Sequence, residues 1–371
     1  MTLDIVPYRL YHQHLTQNKF TQAAEVVRAL GAVQSQDFAG GKWAIGLRSD
    51  GLTDLDVQRA FDDGAILRTH VMRPTWHFVA PEDIRWMLAL TAPRVKALMI
   101  YYDRQLEVDH TLLKKSNALL LKVLHGGKHL TRTELGRVYQ EARIPAKGQR
   151  LGHLLMHAEL DGVICSGPRK GKQLPYALLE ERVPAAQLLT REESLAALVI
   201  RYFSTRGPAT LNDFAWWSGL TVADARKGMD MVKSRFLSET IEGQTYWFSE
   251  DRPPLPPNVI SAYLLPNYDE FFIGFKDRSA IGKVAEKFGI QKDDAALLAH
   301  IIILNGQVVG GWKRILERER VRVETSLLIK LDTAEQQALH DAAERLGKFL
   351  DLPVLLVNKE YSSEQRTSRS F

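Results

Sequence analysis

The sequence predicts a helix-rich α+β fold in which one supersecondary unit, a set of helices followed by a β-hairpin, occurs three times and precedes an α/β segment. The strongest observation is an internal repeat, because the same order of elements begins near His110 and again near Glu192. Helix start and stop signals delimit the helices of each copy. A length of 371 residues with 45% apolar and 25% charged residues fits several compact domains and excludes a disordered chain or a coiled-coil rod.

The first and loosest copy is predicted in residues 1–105. Apolar residues at helical and alternating spacing indicate its elements, and the turn Met72-Arg73-Pro74 separates its two strands. We expect helices at Pro7–Leu15, Ala23–Leu30, Leu55–Asp62 and Pro81–Tyr102, and strands at Ala65–Val71 and Thr75–Val79.

The second copy, residues 106–185, is the clearest. Thr131 and Glu134 form a capping-box pattern, since a threonine hydroxyl can accept a hydrogen bond from the amide three residues on. We expect helices at Leu112–Leu124, Thr133–Ala142 and Arg150–Asp161, and strands at Val163–Ser166 and Leu174–Leu179. A helix-turn-helix followed by such a hairpin is a winged helix.

The third copy occupies residues 186–252, and the chain then changes character. The proline-rich run 253–257 predicts a stiff linker into a strand-rich segment, residues 253–361, and residues 362–371 form a polar tail. The third copy has expected helices at Ser194–Thr205, Thr210–Ser218 and Val222–Arg235, with strands at Phe236–Ile241 and Thr245–Ser249. In the last segment we expect strands at Ile301–Leu304, Gln307–Ile315, Arg320–Ile329 and Val354–Val357, and a helix at Thr333–Leu350.

The composition limits the classes of protein and of site. The single cysteine, Cys165, excludes an internal disulfide or a cysteine-rich zinc site and is expected to be a buried strand residue. The longest apolar stretch, around Ala295–Leu304, is too short for a membrane span. The N-terminus lacks the pattern of a secretory signal, which favours a cytoplasmic protein.

A basic hairpin tip in the second copy points to DNA. The tip runs from Gly167 to Lys172 and carries Arg169, Lys170 and Lys172 beside two glycines. Glycines let the backbone approach a strand, and the cations neutralise phosphates without reading sequence. Lys147 and Arg150 precede the third helix of that copy and are expected to extend the same positive strip. The net charge of +5 agrees with a polyanionic partner but does not require one.

A set of short motifs, in this order, carries a resemblance to a known family. The chain resembles the AlkZ/YcaQ-type family of tandem winged-helix DNA glycosylases over nearly its whole length. The resemblance implies three winged-helix units that form a concave, DNA-sized surface. The motifs are Ala32–Asp37 with Arg48, the run Leu67–His77, the run Leu154–Pro168, Gly207–Thr210, Leu264–Glu270 and Val309–Trp312.

The resemblance also implies a catalytic pair of glutamines. Gln34 and Gln36 match the family's Gln-x-Gln form, and members of that branch act on bulky N-alkylated purines, including interstrand cross-links. An alkylated purine is already cationic, so a neutral amide that accepts hydrogen bonds can hold a water and stabilise positive charge at the sugar. Residues i and i+2 point to one side only in extended chain, which Gly31 would allow by ending the preceding helix. The alternative is that both amides satisfy buried backbone groups.

Further residues are candidates for supporting roles. Asp37, Arg48, Arg73 and His77 are expected around the glutamines, with His77 beneath them and in reach of a phosphate. Lys313 and Arg314, in a predicted C-terminal hairpin, are expected to offer cations to DNA.

Two histidines one turn apart raise the question of a metal. His153 and His157 have the spacing of a two-histidine metal site, but no third ligand is evident, so a structural or DNA-facing role is favoured over a metal. We therefore expect no metal and no small-molecule cofactor.

These observations favour a monofunctional DNA glycosylase that binds double-stranded DNA with little sequence preference. The alternative is a winged-helix DNA-binding protein without catalysis, such as a transcriptional regulator, whose glutamines are structural. A metal-dependent nuclease lacks its ligands.

Overall fold

A computed structural model describes residues 3–17, 20–183, 189–251, 260–288 and 300–360. The helices are α1 Ile5–His12, α2 Ala23–Leu30, α3 Phe38–Gly46, α4 Asp54–Asp62, α5 Pro81–Gln105, α6 His110–Leu124, α7 Arg132–Glu141, α8 Gln149–Leu160, α9 Leu179–Arg182, α10 Arg191–Arg206, α11 Leu211–Ser218, α12 Val222–Val232, α13 Glu270–Ile273, α14 Ser279–Lys287 and α15 Thr333–Leu350, with a 3-10 turn at Lys233–Arg235. The strands are β1 Val33–Gln34, β2 Leu67–His70, β3 Trp76–Val79, β4 Ile164–Ser166, β5 Tyr176–Leu178, β6 Leu237–Ile241, β7 Gln244–Phe248, β8 Ala262–Leu265, β9 Ile301–Leu304, β10 Gln307–Leu316, β11 Val321–Leu327 and β12 Val354–Glu360.

The mixed α and β architecture is confirmed, and each predicted helix and strand has a counterpart within a few residues. Local signals explain the accuracy. At the start of α7 the Thr131 hydroxyl accepts from the Glu134 amide, and the Glu134 carboxylate accepts from the Thr131 amide. The same reciprocal cap opens α10, α11 and α12. The prolines of 253–257 and the tail 362–371 lie outside the described residues. None of the described helices is long and apolar enough to cross a bilayer.

The segment after residue 260 contains strands and helices that the sequence did not indicate. The sheet order is β12-β11-β10-β9-β8, and β11 and β12 run parallel because α15 connects them. The strand β8 and the short helices α13 and α14 were not predicted. This segment shares one apolar core with the N-terminal unit, in which Trp43 packs on Phe349 and donates its indole N–H to the Leu264 carbonyl at 2.7 Å.

The first hairpin, β2–β3, belongs to the N-terminal unit and packs against the third copy. Strands β1, β3 and β2 form one small antiparallel sheet, and the turn between β2 and β3 packs against α11. The contact requires glycine at position 219, because a Cβ there would lie 2.2 Å from the Met72 carbonyl oxygen and its φ is +72°. Residues of the turn, of α5 and of α10–α12 form a second apolar core, and the second copy has its own.

Candidate functional site

Gln34 lies on the short strand β1, and Gln36 lies in the bend between that strand and α3. Gly31 ends α2 with a φ of +77°, and β1 then pairs with β3 so that Gln34 faces His77 across the ladder. The Ser35 amide donates to the Trp76 carbonyl at 2.8 Å, which continues the pairing to the next residue. The strand ends at Gln34, so the alternation of a strand does not extend to Gln36, and the expectation that both side chains point to one side stays a prediction.

The Gln34 side chain is buried and held by a cation. The Arg73 guanidinium donates from Nη2 to Gln34 Oε1 at 2.9 Å, and the Gln34 backbone amide donates to Glu270 Oε1 at 2.9 Å. Because a guanidinium can only donate, this contact determines which end of the amide is the oxygen. Gln34 is therefore fixed in position and orientation.

The Gln36 side chain, by contrast, is exposed and held loosely. Its Oε1 accepts from the Trp76 backbone amide over 3.4 Å, near the limit of a hydrogen bond. The Gln36 amide thus keeps both donor and acceptor capacity for a molecule that approaches from solvent.

A buried carboxylate, Glu270, supports the strand that carries the glutamines. Besides the Gln34 amide, Glu270 accepts from Arg206 Nη2 at 2.6 Å and from the Trp217 indole N–H at 2.9 Å, and its side chain has no exposed surface. Arg206 in turn donates to the Leu30 carbonyl at 2.8 Å, at the end of α2. In the sequence Glu270 appears only as the last residue of the motif Leu264–Glu270, without a role. The signal that could have found it is a buried arginine, which needs a carboxylate partner.

Arg48 contacts Asp269, the residue that precedes Glu270 in the chain. Its guanidinium pairs with both oxygens of Asp269, at 2.8 and 2.9 Å, and neither side chain is exposed. Asp269 also caps α13, whose first residue is Glu270. Asp37 has a different place: its carboxylate caps α3 by accepting from the Gly40 amide at 3.0 Å. Of the four expected supporting residues, Arg73 and His77 therefore lie beside Gln34. Arg48 pairs with the neighbour of Glu270, and Asp37 is a helix cap.

His77 is completely buried opposite Gln34 on the paired strand and is not open to a phosphate. Its Nδ1 lies 3.0 Å from the Thr75 carbonyl, and Nε2 has no partner among the described residues. Burial, assisted by the nearby Arg73 cation, holds the pKa of His77 well below 6.5. His77 is therefore neutral at pH 7 and adds no positive charge beside Gln34.

Unpartnered buried polar atoms lie at the end of β1 and in the hairpin that pairs with it. Within the described residues they include Ser35 Oγ, Arg73 Nε, Thr75 Oγ1 and His77 Nε2. Buried polar atoms normally have a partner. Four such atoms therefore lie at the end of β1 and in the hairpin that pairs with it, beside Gln34.

Trp76 links the first hairpin to the second copy. The Arg68 guanidinium lies over its ring at 4.2 Å, and its indole N–H donates to Glu159 Oε1 at 3.3 Å. The other oxygen of Glu159 pairs with the His70 imidazole. One face of the Trp76 ring is therefore covered by Arg68. Through Glu159, α8 is joined to β3, the strand whose first residue, Trp76, contacts Gln36.

The predicted basic residues lie on several elements, and most are already paired. Arg169 donates to Gln58 Oε1 at 3.1 Å, Lys170 pairs with Glu134 at 2.6 Å, and Arg150 pairs with Glu107 at 2.5 Å. Lys147 and Lys172 are exposed, and neither has a carboxylate partner among the described residues. The exposed pairs are exchangeable, since such ion pairs contribute little and a phosphate can replace the carboxylate.

A buried lysine that the sequence did not indicate, Lys42, lies within electrostatic range of Arg169 and Arg314. Lys42 on α3 donates to Asp54 Oδ2 at 2.7 Å. Burial lowers the pKa of the Lys42 ammonium, and Arg169 and Arg314 lower it further, while the Asp54 contact opposes the change. Lys42 and Arg169 also donate to the same acceptor, Gln58 Oε1, at 3.3 and 3.1 Å, so the hairpin tip of the second copy lies against α3 and α4.

Strand β10 and its neighbours carry a second group of cations. Lys313, Arg322 and Lys359 all contact the carboxylate of Glu324, at 3.0, 2.6 and 3.1 Å. The Lys313 hydrogen bond is the largest cause that lowers the pKa of Glu324 to about 2. Three cations share one carboxylate, so this edge of the sheet has an excess of positive charge.

Comparison with known proteins places these features in a family. A family model described as DNA glycosylase AlkZ-like matches residues 27–349. A protein of Streptomyces sahachiroi named interstrand DNA cross-link repair glycosylase is 24% identical over 370 residues, which cover 95% of this chain and 98% of that protein. The solved structure of the Streptomyces sahachiroi DNA glycosylase AlkZ is similar with a TM-score of 0.78 and 22% identity, covering 95% of this chain and 98% of that chain.

Proposed function

Since the chain belongs to the AlkZ-like DNA glycosylase family, we propose that this DNA-repair enzyme cleaves the N-glycosyl bond of N-alkylated, cationic purines at Gln34 and Gln36. The observation that carries the proposal is the contrast between the two amides. Gln34 is fixed by Arg73 and by the backbone contact to Glu270, whereas Gln36, two residues further on, is exposed. One amide is preorganised and the other is open to substrate.

Neutral amides suit this substrate because the leaving group needs little help. An alkylated purine cation departs with the bonding electrons as a neutral base, so no general acid is required. The Gln36 carbonyl oxygen accepts a hydrogen bond from the attacking water and stabilises positive charge on the sugar. The water oxygen bonds to C1′, and its proton passes to solvent. A neutral His77 beside Gln34 adds no repulsion toward the cationic sugar.

DNA is bound, in this proposal, by three winged-helix units that present their hairpins to one duplex. The neighbourhood of Lys42, Arg169 and Arg314 supports a shared phosphate-binding strip, with Lys170 and Lys172 beside it and Lys147, Arg150 and Lys313 as further contacts. These residues neutralise phosphates, so binding is largely independent of base sequence and falls with salt. Such an enzyme would work in the cytoplasm, on the nucleoid.

Interstrand cross-links are included among the proposed lesions. The Streptomyces sahachiroi relative carries that activity in its name. In this chain the exposed position of Gln36 supports the extension, because a bulky lesion can meet the amide without first entering a closed pocket.

The test is base release from defined lesions. We expect the full-length protein to leave abasic sites in a duplex that contains N7-methylguanine, and to unhook a duplex cross-linked through N7 of guanine. Undamaged duplex of the same sequence is the control. Failure on both lesions, together with retained duplex binding, would instead identify a DNA-binding protein without catalysis.

A further inference from the structure

The two histidines that sequence analysis left without a third ligand are joined in the structure by an aspartate. His153 and His157 lie one turn apart on α8, and Asp103 lies near the end of α5, 50 residues before His153. The Nε2 atoms of both imidazoles converge on one oxygen, Asp103 Oδ1, at 2.5 and 2.8 Å. All three potential ligand atoms lie within 4.8 Å of one another.

This geometry is close to that of a bound divalent cation. Tetrahedral zinc holds nitrogen and oxygen ligands at roughly 2.0–2.2 Å, which places the ligand atoms about 3.3–3.5 Å apart. The carboxylate needs to withdraw by less than about 1 Å to open that space. Both histidines lie on one face of a rigid helix, and their side chains are 7% and 4% exposed. The Asp103 side chain is 19% exposed, so the cluster can be reached from solvent on one side.

We propose that Asp103, His153 and His157 bind one Zn²⁺ ion, with water in the remaining position. Two imidazoles and one carboxylate favour zinc over magnesium or calcium, which prefer oxygen ligands throughout. Without the ion each Nε2 donates its proton to Asp103 Oδ1; on binding, each ring exchanges that proton through solvent to Nδ1 and presents Nε2 to the metal, so a neutral ring releases no net proton. The site is independent of the glycosylase reaction, because its ligands include none of the residues placed at Gln34 and Gln36.

The ion would act by joining two helices. Helix α5 belongs to the first unit and α8 to the second, and α8 also carries Glu159, whose carboxylate holds Trp76 and His70. A metal across α5 and α8 therefore stabilises the helix that supports the strand next to Gln36. Its role is structural, and its loss should lower the melting temperature.

Direct metal binding tests the proposal. Full-length protein without an affinity tag is treated with a chelator, dialysed and titrated with Zn²⁺ against a chromogenic indicator, and Co²⁺ is added separately. We expect one Zn²⁺ per chain and the intense visible absorption of tetrahedral Co²⁺. Because losing even an outer partner of a metal ligand weakens binding by roughly 10- to 100-fold, His153→Ala should weaken it by at least about 100-fold.

Two further variants separate a metal site from a cluster of hydrogen bonds. Asp103→Asn keeps an oxygen that accepts from both imidazoles, so it should stay folded, yet it should lose most of the zinc affinity. His110→Ala removes an exposed histidine on α6 and should bind as the wild type does. Equal zinc affinity in Asp103→Asn, His153→Ala and the wild type would overturn the proposal, as would a wild-type protein that binds no zinc. A cluster held by hydrogen bonds alone gives the second result.

Discussion

Replacing Gln36 by alanine should separate catalysis from folding and from DNA binding. The side chain is exposed and its one hydrogen bond to the described chain is 3.4 Å long, so its loss should change the free energy of unfolding by no more than about 0.5 kcal/mol. Loss of one polar group that contacts the reacting atoms lowers a rate by roughly 10- to 1000-fold. That range corresponds to about 1.4–4 kcal/mol of transition-state stabilisation.

The assay is single-turnover release of N7-methylguanine from duplex DNA, with duplex affinity and thermal unfolding measured on the same preparations. Gln140→Ala, another exposed glutamine on α7, is the matched control and should match the wild type in all three. Gln34→Ala is a poorer probe, because it leaves the Arg73 guanidinium without its acceptor at a cost of about 1–3 kcal/mol. Unchanged excision by Gln36→Ala, or a clear loss of stability, would refute the assignment and make the amide a packing group.

Three further changes test the rest of the site. Glu270→Gln should lower the free energy of unfolding by about 3–5 kcal/mol, because it leaves the buried Arg206 cation without its counter-ion; a melting temperature equal to that of the wild type would contradict the buried pair. Charge reversal of Lys170 and Lys172 together should flatten the log–log salt dependence of duplex binding by about two, since each phosphate contact contributes roughly 0.9; an unchanged slope would place the DNA elsewhere. Because burial holds the native pKa of His77 well below 6.5, the unfolded chain takes up a proton that the native fold rejects, and the free energy of unfolding should fall as the pH drops below 6.5. His77→Gln should remove part of that slope, at most about 1.4 kcal/mol per pH unit, and an identical profile for the variant would show that His77 titrates normally.

The sequence by itself determined the elements whose signals are local. The helices Ala23–Leu30 and Thr333–Leu350 and the strand Ile301–Leu304 have the bounds that periodicity and caps predict. The capping box at Thr131 needs only residues three apart, and the extended segment at Gln34 needs only Gly31 to end a helix. In the same way Cys165 is buried on β4, where burial raises the pKa of its thiol to about 12. Neighbours in sequence carry all the information that these features require.

Elements with weak local signals were missed. Helix α3 contains Gly40 and Gly41, which have low helix propensity, yet it forms because Trp43 packs against the C-terminal helix and Asp37 caps its start. Strand β8 is stabilised by pairing with β9, which begins 36 residues after β8 ends. In both cases tertiary contacts supply the free energy that propensity lacks.

The partners of the functional side chains were decided only by the tertiary structure. Glu270 lies 236 residues from the Gln34 amide that it accepts, and Asp103 lies 50 residues from His153. A sequence shows that a carboxylate is present, but not which buried cation or imidazole it will meet, because that depends on how distant segments pack. Folding places Glu270 against the Gln34 amide and Asp103 against His153 and His157, and neither carboxylate has a local pattern that indicates its partner.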